Sequence, residues 1–297
     1  MLGFINLDKP AGLTSHDCVA KVRRLLNIKR VGHGGTLDPA ATGVLPIAIG
    51  PATRLLSYLP EQKAYRAKIR FGIQTTTDDL EGEVIESQST ANLNLAEISA
   101  YLDNFIGDIE QIPPAYSAIQ KDGKRLYTLA REGKTVEAPV RNVQIYQIKM
   151  LAWYPGEFPE LLLEISCGPG TYIRAIARDL GVALKVGATL AALRRTESCG
   201  MKIGESLTLE QLFEQQQKGK FMATTPEKAL QNIPKIILDD VKAKRWCQGQ
   251  KIPVLSTQQE WLQVHSAQNQ CLGIAQVLQG DNGAILKPKV VLNQSFS

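Results

Sequence analysis

Asp38 stands in the run Gly32-His33-Gly34-Gly35-Thr36-Leu37-Asp38-Pro39, where glycines precede a carboxylate fixed ahead of proline. Proline confines the residue before it to extended or turn backbone, and glycines allow another molecule to approach the chain closely. A carboxylate held this way can attack an electrophilic carbon or move a proton. The same pattern also makes an Asx-type turn with no chemistry in it, so local pattern alone leaves both readings open.

Other reactive templates fail. Gly32 and Gly34 begin a dinucleotide fingerprint, but Leu37 occupies the place of its last glycine, and no G-x-x-x-x-G-K-[ST] occurs. Ser15-His16-Asp17 contains triad residue types, yet neighbours on a helix point about 100° apart and do not converge on one atom. His16, His33 and His265 are far apart in the chain, with no H-x-x-x-H spacing. The five cysteines, Cys18, Cys167, Cys199, Cys247 and Cys271, include no C-x-x-C pair. Neither a metal nor a cofactor is expected.

The elements that must carry Asp38 follow from periodicity. Phe4–Leu7 reads as a short strand stopped by Lys9-Pro10-Ala11-Gly12. Thr14 or Ser15 can cap a helix in which Cys18, Val19, Val22, Leu25 and Leu26 share one face while Lys21, Arg23 and Arg24 lie elsewhere. The glycine-rich stretch after Arg30 reads as a loop entering a buried strand. Segments 64–73, 143–151 and 160–167 alternate as half-buried strands. Residues 107–141, with Pro113-Pro114, tyrosines and basic residues, read as a surface insertion with a short helix near Tyr127–Arg131. Helices are expected over Thr171–Leu184 and Thr208–Gln217. Beyond Pro234, short runs (Ile236–Leu238, Trp261–His265, Cys271–Val277, Ala284–Leu286, Val290–Leu292) alternate with turn residues, which predicts a small all-β module.

With 297 residues, 44% hydrophobic and 21% charged, the chain has room for two domains, 1–234 and 235–297. Its Lys+Arg 34 against Asp+Glu 29 leaves a net charge of +5, which suits a polyanionic partner. Residues 1–60 hold seven Lys/Arg against three Asp/Glu, so phosphate contacts are sought there first. No apolar window is long enough for a membrane span and no leader precedes the first strand, so a cytoplasmic protein is expected.

The segments GFINLDKPAGLTS and VGHGGTLDPAATGVLPIAIGPATRL resemble the opening of the TruB family of tRNA pseudouridine-55 synthases. KAYRAKIRFGIQTTTDDLEGEV, QIPPAYSAIQKDGKRLYTLAREG, SCGPGTYIRAIARDLG and LRRT follow in the family's order, covering most of residues 3–200. GQKIP, CLGIAQV and LKPKVVL resemble more loosely the family's C-terminal PUA-like domain. The resemblance implies an α+β pseudouridine synthase fold on a mixed, mainly antiparallel sheet, followed by a small β-barrel-like module. The partner it implies is the T arm of tRNA, bound by a monomer with no obligate protein partner and no cofactor.

It also assigns roles. Asp38 becomes the catalytic aspartate, Arg174 its partner, Tyr65 the aromatic that stacks on an everted base, and Leu193 an apolar wall of the same pocket. A base removed from its stack needs such a face, worth about 1–3 kcal/mol. Tyr172 falls in the T-Y-I-R motif beside the substrate, and His33 matches the histidine inserted into the RNA loop. Lys9, Lys121, Lys124, Arg125, Arg131 and Arg141, with Lys21, Arg23 and Arg24, are candidates for phosphate contacts. Gln120 stands where the family has lysine, and Thr189 where histidine is common. An RNA-binding module without chemistry and a glycosidase-like hydrolase are the competing readings; the latter needs a second carboxylate, for which no motif speaks.

Overall fold

The computed structural model describes residues 1–116, 120–121, 124–125, 138–255, 259–280 and 283–292. Among them are β1 (Gly3–Lys9), β2 (Val31–His33), β3 (Thr42–Ile49) and β4 (Lys63–Phe71). A side hairpin, β5 (Ile73–Thr75) and β6 (Val84–Ser87), precedes β7 (Gly107–Gln111). After a two-residue pairing of β8 (Gln120–Lys121) with β9 (Lys124–Arg125) come β10 (Arg141–Tyr154), β11 (Glu160–Cys167), β12 (Ala188–Ser198) and β13 (Met201–Lys202). The last part holds β14 (Lys235–Ile237), β15 (Ile252–Val254), β16 (Trp261–His265), β17 (Cys271–Gly280) and β18 (Gly283–Val291).

The large sheet runs β1-β3-β12-β4-β11-β10-β7, with β2 on β3 and β13 on β12. Every pairing in it is antiparallel except β3 with β12, where Arg194 meets Thr42 and Arg195 meets Gly43. That parallel contact brings the strand after the Asp38 loop against the Leu193–Thr196 motif. Gly43 has φ +103°, and a Cβ there would collide with the Arg195 carbonyl, so only glycine fits.

Alternation explains the centre of the sheet. On β4, Tyr65, Ala67, Ile69 and Phe71 are buried, and on β11 Leu161, Leu163, Ile165 and Cys167 join them in one core. The opposite faces pair charges across the strands, Arg70 and Lys68 with Glu160 at 2.6 and 3.1 Å. A helix, Ile173–Ala183, buries Ile173, Ile176, Ala177 and Leu180 on the apolar face.

The helix Ser15–Leu26 is capped by Thr14 in a reciprocal box with Asp17, and Leu209–Gln217 by Thr208 with Gln211. Lys21, Arg23 and Arg24 lie exposed, as the periodicity requires. The proposed helix near Tyr127–Arg131 lies outside the described residues.

Three expectations need correction. The Val31–His33 segment is a strand, β2, because its amides pair with β3 even though two of the next three residues are glycine. The C-terminal module is not all β: a helix, Asp240–Cys247, lies across its sheet β14-β16-β17-β18-β15. Its polar sequence hid it, since burial rests on Ala243 and Trp246, whose indole N–H donates to the Leu272 carbonyl at 3.3 Å. Ala284–Leu286 and Val290–Leu292 also prove to belong largely to one strand, β18.

The small sheet curls against the large one and shares a core with it. Cys271, Ile274, Val290 and Leu292 pack in one cluster with Phe4, Val44, Ala48 and Leu55. Among the described residues no helix is long and apolar enough to cross a membrane.

Candidate active site

The loop that carries Asp38 is held at successive carbonyls by buried side chains. Arg195, 1% exposed, donates to the carbonyls of Gly35 (3.0 Å), Thr36 (3.2 Å) and Val44 (2.7 Å). The buried Ser15 hydroxyl brackets Leu37, accepting from its N–H at 2.9 Å and donating to its carbonyl at 3.2 Å. Lys9 reaches the carbonyls of Pro10 (3.0 Å), Pro39 (3.0 Å) and Ala41 (2.6 Å). A loop whose backbone acceptors are fixed this way holds its one projecting carboxylate in place.

Lys9 is therefore not a phosphate contact. Its side chain is fully buried and its three donors are occupied by loop carbonyls, so no RNA phosphate can reach it. Burial lowers its pKa from the ordinary lysine value.

Asp38 projects from this scaffold into a cleft of about 190 Å³, keeping 42% of its side-chain surface exposed. Its Oδ2 lies 3.1 Å from Arg174 Nη2, in a buried guanidinium whose side chain is 7% exposed. Arg174 is fixed in turn: Nη1 lies 3.3 Å from Asp79 Oδ2 and donates to the Thr77 carbonyl at 3.0 Å, while Nη2 donates to the Tyr116 carbonyl at 3.0 Å. One guanidinium thus bridges two carboxylates, Asp79 at 15% and Asp38 at 42% side-chain exposure, the second presented to the cleft. A smaller hollow of about 120 Å³, lined by Asp79, Glu81 and Leu190, shares Asp38, Arg174 and Leu193 with the cleft.

Tyr65 and Leu193 line the same cleft as Asp38 and Arg174. Tyr65 is nearly buried, and burial raises its phenol pKa despite the opposing Arg195 cation, so it stays protonated near neutral pH. Tyr172 also lines the cleft. Its backbone is bracketed by Gln111, which accepts from its N–H at 2.8 Å and donates to its carbonyl at 3.1 Å. The five residues come from a loop, β4, β12 and the start of a helix, so sequence separation of more than 130 residues collapses into one cleft. The cleft lies below the roughly 300–1,000 Å³ of drug-sized sites and suits one flat ring.

His33 stands five residues before Asp38, at the end of β2. Its Nδ1 accepts from the Gly35 N–H at 3.3 Å, and His16 meets its ring edge-on at 5.4 Å. Burial, then the His16 neighbour, lowers its pKa, so the ring is neutral with Nε2 carrying the proton. It does not line the cleft. Arg141 is exposed at the start of β10, opposite Gln111. Lys121, Lys124 and Arg125 are described only by the backbone pairing of β8 and β9, and Arg131 lies outside the described residues.

Three positioning residues escaped the sequence reading. Arg195 sits in the LRRT segment without a role, Ser15 was read only as a candidate helix cap, and Asp79 belongs to Thr75-Thr76-Thr77-Asp78-Asp79, whose consecutive hydroxyls and carboxylates were the available signal. Thr189, the departure from the family pattern, is fully buried and lies 3.1 Å from the Thr75 hydroxyl, which donates to the Asp79 carbonyl at 2.6 Å. It supports the loop that holds Asp79.

An α+β sheet with an aspartate, an arginine and a tyrosine facing one base-sized cleft is the architecture of a pseudouridine synthase. The chain belongs to the TruB family: residues 23–173 match its pseudouridylate synthase N-terminal domain, 174–235 its tRNA pseudouridylate synthase B C-terminal domain, and 234–292 its pseudouridine synthase II C-terminal domain. It is 56% identical over 301 residues to tRNA pseudouridine synthase B of Gloeothece citriformis (strain PCC 7424), covering 99% of this chain and 98% of that one. It is equally 56% identical over 292 residues to the protein of the same name in Trichormus variabilis (strain ATCC 29413 / PCC 7937), covering 98% of each. Among solved structures, a Cbf5-Nop10-Gar1 complex superposes with a TM-score of 0.73 at 26% identity, over 97% of this chain and 84% of that one. The chain in an H/ACA RNP bound to a substrate RNA containing 2'-deoxyuridine gives the same score at 24% identity, over 98% and 85%, and supports the fold alone.

Proposed function

We propose that the protein isomerises the uridine at position 55 of the tRNA T loop to pseudouridine. The observation that carries this reading is the 3.1 Å pair between Arg174 and a half-exposed Asp38, at the floor of a cleft walled by Tyr65 and Leu193. The uridine leaves its stack, and Tyr65 and Leu193 replace the lost contacts. The N1–C1′ bond breaks, the uracil turns, C5 bonds to C1′, the C5 proton departs and N1 acquires one. Composition and redox state are unchanged, so the reaction requires no cofactor.

A carboxylate can serve by meeting C1′, by meeting C6, or by taking a ribose proton. All three need it fixed and in reach of the everted nucleotide, which the clamped loop supplies. Arg174 neutralises and orients it, and Tyr65 can assist as a protonated phenol.

The division of labour follows the two sheets, with residues 1–234 carrying the chemistry and 235–297 forming an RNA-binding module. His33 enters the space the flipped nucleotide vacates, and Lys121, Lys124, Arg125, Arg131 and Arg141 meet phosphates of the T arm. The protein acts as a cytoplasmic monomer. The high-identity relatives named tRNA pseudouridine synthase B support tRNA as the substrate.

The test is tritium release from tRNA transcripts carrying [5-³H]uridine. Asp38→Asn is expected to lose at least about 10⁴-fold in rate, as when the charge of a reacting triad is removed, while retaining tRNA binding. Wild-type protein that binds tRNA but releases no tritium would establish a binding module instead. Free uracil among the products would mark a hydrolase.

A further inference from the structure

The cleft contains four charged side chains, Asp38, Lys63, Arg174 and Arg195. Three of them are occupied. Asp38 and Arg174 hold each other, Arg174 also holds Asp79, and Arg195 donates to three backbone carbonyls. The side chain of Lys63 alone makes no hydrogen bond or ion pair with any described residue.

Its position is not that of a surface lysine. Lys63 opens β4, two residues before Tyr65 and on the same strand face, about 7 Å along the strand. It is paired in register with Cys167 on one side and Ser198 on the other, inside the sheet. Its Cε passes 3.9 Å from where a Cβ on Gly35 would stand, and the Arg195 guanidinium lies 3.6 Å from the same point. The stem therefore runs along the glycine loop, beside a second cation. Burial, and then Arg195, lower its pKa from the ordinary lysine value. A partly dry ammonium with a like charge as neighbour and no acceptor costs the free protein stability. Lining the cleft, it can take as its acceptor either water or a group that arrives with the substrate.

We propose that Lys63 is a catalytic residue: its ammonium donates to a carbonyl oxygen of the everted uracil and stabilises the negative charge that the base acquires as the N1–C1′ bond breaks. This rests on the isomerase reading above. When that bond breaks heterolytically, its electron pair goes to N1 and spreads over O2 and O4. When C5 bonds to C1′, a pair returns from the base to the new bond, the C5 proton passes to water and N1 takes one. Lys63 keeps its proton throughout and acts by charge alone. A uracil oxygen is favoured over a phosphate because Lys63 shares its wall with Tyr65 and Leu193, the surfaces that would face a base. Donors aimed at charge that develops only in the transition state typically matter by about 10²–10³ in rate.

The experiment uses the full chain and tRNA transcripts under single-turnover conditions. Lys63→Met is expected to slow conversion by about 10²–10³-fold, with the transcript Kd within about twofold of wild type. Lys63→Arg, which retains a cation, is expected to recover at least about tenfold of that loss. With 5-fluorouridine at the target, the fluorine itself stabilises a uracil anion. Loss of 5-fluorouridine from nuclease digests is then expected to slow at least about tenfold less than uridine conversion does.

Equal losses on the two substrates, or a Met variant as fast as wild type, would overturn the proposal. So would a weaker Kd with a salt slope reduced by about one, which assigns Lys63 to a phosphate. If Lys63→Met melts early, Lys63→Gln replaces it in the same substrate comparison, with the same outcomes. Failure of the wild-type protein to release tritium would instead remove the isomerase reading itself.

Discussion

The Asp38 loop and the seat of the C-terminal sheet are both built from buried polar side chains, with opposite results. At the loop, Arg195, Ser15 and Lys9 bind backbone carbonyls so that one carboxylate is left projecting, 42% exposed. At the seat, Gln263 donates to the carbonyls of Leu230 and Ile233, both at 2.8 Å, His265 Nε2 lies 3.1 Å from Gln263 Oε1, and Glu227 accepts from the Cys271 N–H at 2.8 Å. Gln263 and His265 are both buried there. The same chemistry aims a reactive group in one region and fastens two sheets together in the other.

That contrast can be broken in order of effect. Arg195→Met removes three hydrogen bonds from a buried charged donor, and at roughly 1.5–3 kcal/mol each before relaxation, a loss of about 3–5 kcal/mol is expected in urea unfolding. Because a shift of about 1 Å at a reacting group can cost 10²-fold, the rate per folded molecule should fall by about that much. Unchanged single-turnover kinetics in folded Arg195→Met would show that the loop does not need its clamp.

Gln263→Leu removes two bonds to buried carbonyls at the seat, with an expected stability loss of about 2–3 kcal/mol. Its rate per folded molecule should stay within about twofold of wild type, since the seat holds no reacting group. A larger rate loss would mean that the two regions are not separable.

The smallest effect concerns His265, whose pKa burial lowers from 6.5. The unfolded chain binds a proton there more readily than the folded one, so stability is lost as pH falls through and below 6.5. Urea unfolding at pH 7.5 and 5.5 should show this loss in the wild type and less of it in His265→Gln. Equal losses in both would transfer the effect to His33, whose pKa burial also lowers.

How much of this was legible depends on the kind of interaction. β4 and β11 were readable because a half-buried strand writes its two faces alternately, and the capped helices because a box such as Thr14 with Asp17 is local. The helix Asp240–Cys247 was not, since two buried residues leave too weak a period. Asp38, Arg174, Tyr65 and Leu193 could be named from ordered motifs. Lys9 was misassigned because a lysine beside a proline looks alike whether its ammonium meets water or three carbonyls.

The sequence by itself determined which groups are available: one aspartate in a glycine-proline frame, an arginine and a tyrosine in motifs far from it, and an excess of cations. Tertiary structure decided which cations are already in use. Lys9 and Arg195 are occupied by carbonyls and Arg174 by two carboxylates, while the Lys63 side chain has no partner among the described residues, and no local pattern separates these cases. The reason is physical: a carbonyl's position depends on chain folding across many residues, so whether a buried charge is satisfied is a property of the packed molecule.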